Sequence, residues 1–148
     1  MTAKYKLNGV NILLVEDNAA DIRLITEVIQ EIEIVNNLHV VRDGVESIDF
    51  LRKKGKFANT TTPDIILLDL NLPKRSGFEV LNEIKKDDNL KIIPVVILTI
   101  SDSEEDIRKA YILHANCYII KPLEMNEFRT IINSIINFWF KIVKLPNS

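Results

Sequence analysis

A chain of 148 residues, 47% hydrophobic and 27% charged, has the length of one domain and the apolar content of a packed core, which excludes a disordered class. Its 19 basic and 21 acidic residues leave a net charge of −2, so no basic excess points to nucleic acid, and the single cysteine, Cys117, excludes an internal disulfide framework. The opening "MTAKYKLNGV" lacks the apolar core of a signal peptide and no run reaches 18 apolar residues, so the expected compartment is the cytoplasm, with no membrane span.

The first element, "VNILLV" at 10–15, is a short apolar run suited to a strand buried on both faces. Asn18 can cap a helix after it, with Asp21 in the first turn and Ile22, Ile25, Ile29 and Ile32 as its stripe. "LHVV" at 38–41 predicts the second strand. "GVESIDFLRKK" at 44–54 predicts a helix with Val45, Ile48, Phe50 and Leu51 partly inward, and 55–63 is loop by composition. "DIILLDL" at 64–70 predicts the third strand, and 76–87 a helix with Val80, Leu81 and Ile84 inward. "PVVILT" at 94–99 is the fourth strand, its proline at the start, where a missing N–H is tolerated. Ser101-x-x-Glu104 reads as a capping box opening a helix over 101–114. "NCYII" at 116–120 is the fifth strand, and a last helix covers about 124–144, stopped by Pro146. Strands of the buried type alternating with helices predict an α/β fold with a parallel sheet covered on both faces, in a single domain over 1–148. Alternation alone leaves the strand order open.

Ligands of open parallel sheets sit beyond the carboxyl ends of the strands. Here those ends carry Glu16-Asp17, Asp69, Thr99 and Lys121, while Arg42-Asp43 after the second strand reads as an ordinary turn. Three acids against one lysine call for a hard divalent cation with oxygen ligands, and Mg²⁺ suits few carboxylates and several waters. A carboxylate beside Mg²⁺, a lysine and a hydroxyl suits phosphoryl transfer to the carboxylate itself. His39 and His114 do not cluster and read as structural.

These residues, in "LLVEDN", "LLDLNLPKRSG", "VVILTI" and "CYIIKP", resemble the response-regulator receiver domain of two-component signalling over about residues 10–144. The stretches "GKFANTTTPDIILLDLNLPK", "LHANCYIIKP" and "FWFKIVKLP" look most like the single-domain regulators associated with cyanobacterial-type phytochromes. The resemblance implies a five-stranded CheY-like sheet in order 2-1-3-4-5, a core over about 10–124, and a sensor histidine kinase as partner. It implies that Asp69 is the phosphoacceptor and that Thr99 and Lys121 bind the phosphoryl oxygens. It also implies that Asp17 and Asp69 hold Mg²⁺ directly, Glu16 through water and Asn71 through its carbonyl. Thr99 and Tyr118 match the switch pair, and the Lys121–Pro122 bond is expected to be cis. The chain departs from the pattern twice: Glu16 stands where Asp is commoner, and Ile100 where a small residue is usual. Ile100 either crowds the phosphoryl pocket and slows dephosphorylation or points away into packing.

In the last helix Phe128, Ile132, Ile135, Trp139 and Ile142 make one stripe, with Ile131, Ile136, Phe138 and Phe140 beside it. So wide an apolar surface exceeds what one sheet face covers. The expectation is a homodimer through Phe128, Ile131, Ile136, Phe138 and Phe140 and the adjoining fourth helix and fifth strand. With no output domain expected after residue 148, that interface would be the output or its support.

Three rival functions are set against the phosphorelay regulator. A phosphatase of the haloacid dehalogenase type would need an Asp where Asn71 stands. A flavin or nucleotide binder would need glycines in "EDNAAD". The third is a receiver-like interaction module working without phosphorylation. The regulator is not expected to be an enzyme beyond its own phosphorylation and dephosphorylation.

Overall fold

The computed structural model describes residues 9–32, 35–122 and 124–146. Strands β1 (Val10–Val15), β2 (Val35–Val41), β3 (Ile65–Leu68), β4 (Val95–Thr99) and β5 (Cys117–Ile120) alternate with helices α1 (Ala19–Gln30), α2 (Gly44–Leu51), α3 (Gly77–Lys86), α4 (Glu104–Ile112) and α5 (Met125–Asn137). All strand pairs are parallel and the order is β2-β1-β3-β4-β5, as expected.

Alternation of side chains along each strand divides the core in two. Leu13, Val15, Ile66, Leu68, Val95 and Ile97 pack on one face against α2, α3 and Ala110 of α4. Ile12, Leu14, Ile65, Leu67, Val96 and Leu98 pack on the other against α1 and α5. Each such side chain, fully removed from water, stabilises the fold by roughly 1.5–3 kcal/mol before entropy is counted. The central strands are therefore the rigid part of the molecule. Register aligns their carboxyl ends: Val15 pairs with Leu68, Leu68 with Ile97, and Thr99 with Ile120, so Glu16, Asp69, Thr99 and Lys121 reach one edge.

Local chemistry sets the helix starts. Asn18 Oδ1 accepts the Asp21 N–H and Asp43 Oδ1 that of Glu46, and Ser76 with Glu79 forms a full capping box on α3. Helix α4 departs from expectation. Its cap is Ser103, which accepts the Asp106 N–H, while the Ser101 hydroxyl donates to Asp106 Oδ2 at 2.7 Å. The sequence offers two serines at capping distance from an acid, and the second takes the helix. Val45 is exposed rather than inward. No peptide bond among the described residues is cis, so the expected cis Lys121–Pro122 bond is not found; trans is the favoured form even before proline.

Helix α5 corrects the reading of the last segment. Phe128 and Ile136, expected at a dimer interface, are buried with Ile132 and Ile135 in the core shared with α1. The helix packs against both the sheet and α1, and Arg129 pairs with Glu31 at 2.9 Å across that contact, so one stripe would not have sufficed. Ile131 and Phe140 are half-buried against the same core. After Asn137 the backbone widens into a π-helical turn, Phe138–Ile142. The extra residue in the turn shifts the side-chain phase by about 100°. Ile142, placed on the inner stripe by a regular helix, is 73% exposed, and Phe138 is 49% exposed. Among the described residues, no helix is long and apolar enough to cross a membrane.

Candidate phosphoacceptor site

The site is built at the carboxyl edge of β1, β3, β4 and β5. Asp69 leaves β3 with its N–H still bonded to the Val15 carbonyl at 3.0 Å, and its side chain is buried. Oδ1 accepts the Asn71 N–H at 3.2 Å, and Oδ2 lies 3.5 Å from Lys121 Nζ. Lys121 is placed by its own N–H, which donates to the Thr99 carbonyl at 2.7 Å. Its ammonium donates to Glu16 Oε1 at 2.5 Å and Asp21 Oδ2 at 2.8 Å. Glu16, also buried, accepts the Asn18 N–H on Oε2 at 3.1 Å. Thr99 is fully buried, and its Oγ1 has no hydrogen-bond partner. A hydroxyl left so costs free energy unless a further acceptor or donor completes it.

One ammonium thus serves three carboxylates, two of them buried. Burial raises the Glu16 carboxyl from 4.5 to about 7, with the charge of Asp69 adding to it and the hydrogen bond and charge of Lys121 opposing. Lys121 is pushed down by burial, but its bonds to Asp21 and Glu16 and the nearby carboxylate charges outweigh this and hold it above its ordinary value. In chelator, the folded pKa of Glu16 lies above its unfolded one. Stability from this group is complete below about pH 4.5 and is lost as pH rises through about 7. Thermal melts over that range should fall with pH for the wild-type chain, and Glu16→Gln should flatten the slope.

The structure brings Glu16, Asp69, Thr99 and Lys121 together at this edge. Asp17 and Asn71 lie beside them but are exposed, and the Asp17 carbonyl accepts Arg42 Nη2 at 3.2 Å. Among the described residues no three His, Cys, Asp or Glu side chains gather as a metal-binding group. The expected trio of acids is therefore not one cluster: Lys121 bridges two of its members and the third faces water. The donor chemistry nevertheless fits a hard dication, because carboxylate and carbonyl oxygens in excess of local positive charge are what such an ion takes. Tyr118 hydroxyl donates to the Ser101 carbonyl at 2.9 Å, tying β5 to the loop that follows Thr99. Burial chiefly raises its pKa, and the charges of Asp106, Asp102 and Asp69 add to this, against the Ser101 bond. Ile100 is 64% exposed, so the reading that it points into packing does not hold. Asp21 is the residue the sequence reading missed. Its place in the first turn of α1 has a sufficient local explanation in the helix dipole, and nothing in the sequence shows its reach to Lys121.

The profile of the response regulator receiver domain matches residues 12–133. The chain belongs to that family. This receiver domain is 46% identical to the response regulator Rcp1 of Synechocystis over 135 residues, 91% of this chain and 92% of Rcp1. It is 41% identical over 128 residues to the probable methanogenesis regulatory protein FilR2 of Methanothrix harundinacea, covering 86% of this chain and 82% of FilR2. Among solved structures, the phosphorylated cyanobacterial phytochrome response regulator RcpA superposes with a TM-score of 0.92 at 48% identity, covering 94% of this chain and 99% of RcpA. The Mn²⁺-bound form of Rcp1 superposes with a TM-score of 0.90 at 45% identity, covering 93% and 99%. The receiver domain is thus a response regulator of phosphorylation-based signalling, homologous to phytochrome-linked regulators.

Proposed function

We propose that Asp69 accepts a phosphoryl group from a phosphohistidine of a sensor kinase of the phytochrome class, and that the receiver domain passes the change to its α4–β5–α5 face. The observation that carries this is the buried Asp69 carboxylate 3.5 Å from the Lys121 ammonium, on the same edge as the unpartnered Thr99 hydroxyl. The P–N bond of the donor breaks as a bond from an Asp69 oxygen to phosphorus forms, and the imidazole leaves. Asp17, Asp69 and the Asn71 carbonyl would hold Mg²⁺, with Glu16 reaching it through water, and the ion supplies charge neutralisation at the phosphoryl oxygens. Mn²⁺ in the Rcp1 relative supports a divalent cation here. Lys121 takes a phosphoryl oxygen, and Thr99 Oγ1 gains the partner that it lacks. Movement of Thr99 reaches Tyr118 through the Ser101 carbonyl, a local charge change biasing a two-state element. The reaction takes place in the cytoplasm, and the chain turns over no substrate beyond its own aspartyl phosphate.

The test is incubation with acetyl phosphate or a phytochrome-class kinase and Mg²⁺. An acid-stable, base-labile label is expected on the wild-type chain and none on Asp69→Asn. A label that persists on Asp69→Asn overturns the assignment of the acceptor, and a wild-type chain that takes no label leaves the phosphorylation-independent interaction module. Ile100, standing exposed directly after Thr99, screens the site from water in the same reading. Ile100→Ala should shorten the life of the labelled form, followed by release of inorganic phosphate; an unchanged lifetime removes this role.

The proposal includes a homodimer, with its interface redrawn. Phe128 and Ile136 drop out because they are buried, and Phe138 remains with the exposed Ile112, Ile120 and Tyr111. Strand β5 is an open sheet edge, where pairing or covering is favoured. Sedimentation at micromolar concentration should show a dimer, and a monomer both with and without phosphorylation would rule it out.

A further inference from the structure

An ammonium has three N–H donors, and those of Lys121 are directed at Glu16, Asp21 and Asp69 at 2.5, 2.8 and 3.5 Å. A fourth acceptor can be taken on only by weakening one of these. The three are not equal. Glu16 and Asp69 are almost wholly buried, so stripping either of its counter-ion leaves a buried charge, whereas the Asp21 side chain is 23% exposed at the start of α1 and can be hydrated. Asp21 is also closer to the lysine than Asp69 is, so the ammonium sits toward α1 rather than on the reactive carboxylate.

We propose that Asp21 is a positioning residue which holds Lys121 off Asp69 in the unphosphorylated chain and gives it up to the phosphoryl oxygens. The inference rests on the reading of Asp69 as the acceptor. In the resting chain the consequences come from charge. With Lys121 drawn aside, the Asp69 carboxylate is less neutralised and better able to engage a divalent cation. On phosphorylation, the new group brings about −1.5 to −2 charge and three acceptor oxygens, enough to draw Lys121 from a partner that water can replace. Asp21 then returns to solvent, and breaking its ion pair is a cost of reaching the phosphorylated state.

Asp21→Asn removes the charge, keeps the shape, and leaves the Asn18 cap intact, since that bond is to the backbone N–H of residue 21. Two readouts should move in opposite directions. Mn²⁺ or Mg²⁺ affinity, by isothermal titration without phosphodonor, should fall about three- to fivefold, as expected for the loss of a partly exposed ion pair, because Lys121 settles on Asp69 and competes with the metal. Labelling by acetyl phosphate at saturating Mg²⁺ should rise by a similar factor, because no pair has to be broken. Asp21→Glu keeps the charge and should match the wild type in both. A purely structural role would lower both readouts together, and that result overturns the proposal, as does no change in either. If the wild-type chain takes no label, the acceptor reading fails, while the titration still decides whether Asp21 holds Lys121 away from Asp69.

Discussion

Lys121→Met should lower stability by about 3–5 kcal/mol near neutral pH and remove most phosphorylation, because it leaves two buried carboxylates without their shared cation. Methionine fills much of the same volume, so the loss is electrostatic rather than a cavity. The pH dependence separates this cause from a packing defect. Glu16 already stands at about 7 with the Lys121 bond holding it down, so removing that bond raises it further. A carboxyl whose folded pKa exceeds its unfolded one favours the fold when protonated and works against it when ionised. The deficit of the variant should therefore be small at about pH 5.5 and large at about pH 8, in thermal melts recorded in chelator. A gap between variant and wild type that stays the same at both pH values would show that Lys121 contributes mainly by packing. Lys121→Arg should regain much of the stability at high pH and little of the labelling. A planar fork carries the charge but cannot point single donors at Glu16, Asp21 and Asp69.

The range of the forces involved decides which features were legible in the sequence and which were hidden. The β3 run Ile65–Leu68 has one physical solution, a strand covered on both faces, and its neighbours in composition fix the parallel sheet. The strand-end residues Glu16, Asp69, Thr99 and Lys121 were legible for the same reason, since parallel strands deliver their last residues to one edge. The roles given to them came from family resemblance rather than spacing. Asp21 was hidden because its ionic partner lies 100 residues away and helix chemistry already accounts for an acid there. The last helix was misread because the packing of α1 against it is a tertiary fact. A helix wedged between sheet and helix buries two stripes, so Ile136 looks surplus only when one neighbour is assumed. The π-helical turn at Phe138–Ile142 then moves Ile142 outward, a change of phase that no regular periodicity predicts.

Gly77→Ala should disturb the site more than any change of comparable size. A Cβ at Gly77 would overlap the Asp69 carbonyl oxygen and lie 2.6 Å from Leu70 Cα. Both are backbone atoms, so no side chain can rotate away. Neither partner yields easily. Asp69 is anchored to Val15 at the end of the central strand, and Gly77 donates its N–H to the Leu70 carbonyl at 3.0 Å while opening a helix held by the Ser76–Glu79 capping box. Relief must come from shifting the start of α3 or the backbone of Asp69. Overpacking of this kind costs about 1–3 kcal/mol, or a melting temperature lower by roughly 5–10 °C at the upper end for a chain of this size. The effect on phosphorylation should be larger, because a displacement on the order of 1 Å in a reacting group can cost about 100-fold. Gly55→Ala is the control. Gly55 has φ of +57° but nothing within 4 Å of an added Cβ, so alanine there meets backbone strain alone. It should lose about 1 kcal/mol of stability and label at the wild-type rate. Equal labelling by both variants would mean that contact between Gly77 and Asp69 does not fix the acceptor. A large loss confined to Gly77→Ala would place the precision of the site in the backbone packing of α3 against the end of β3.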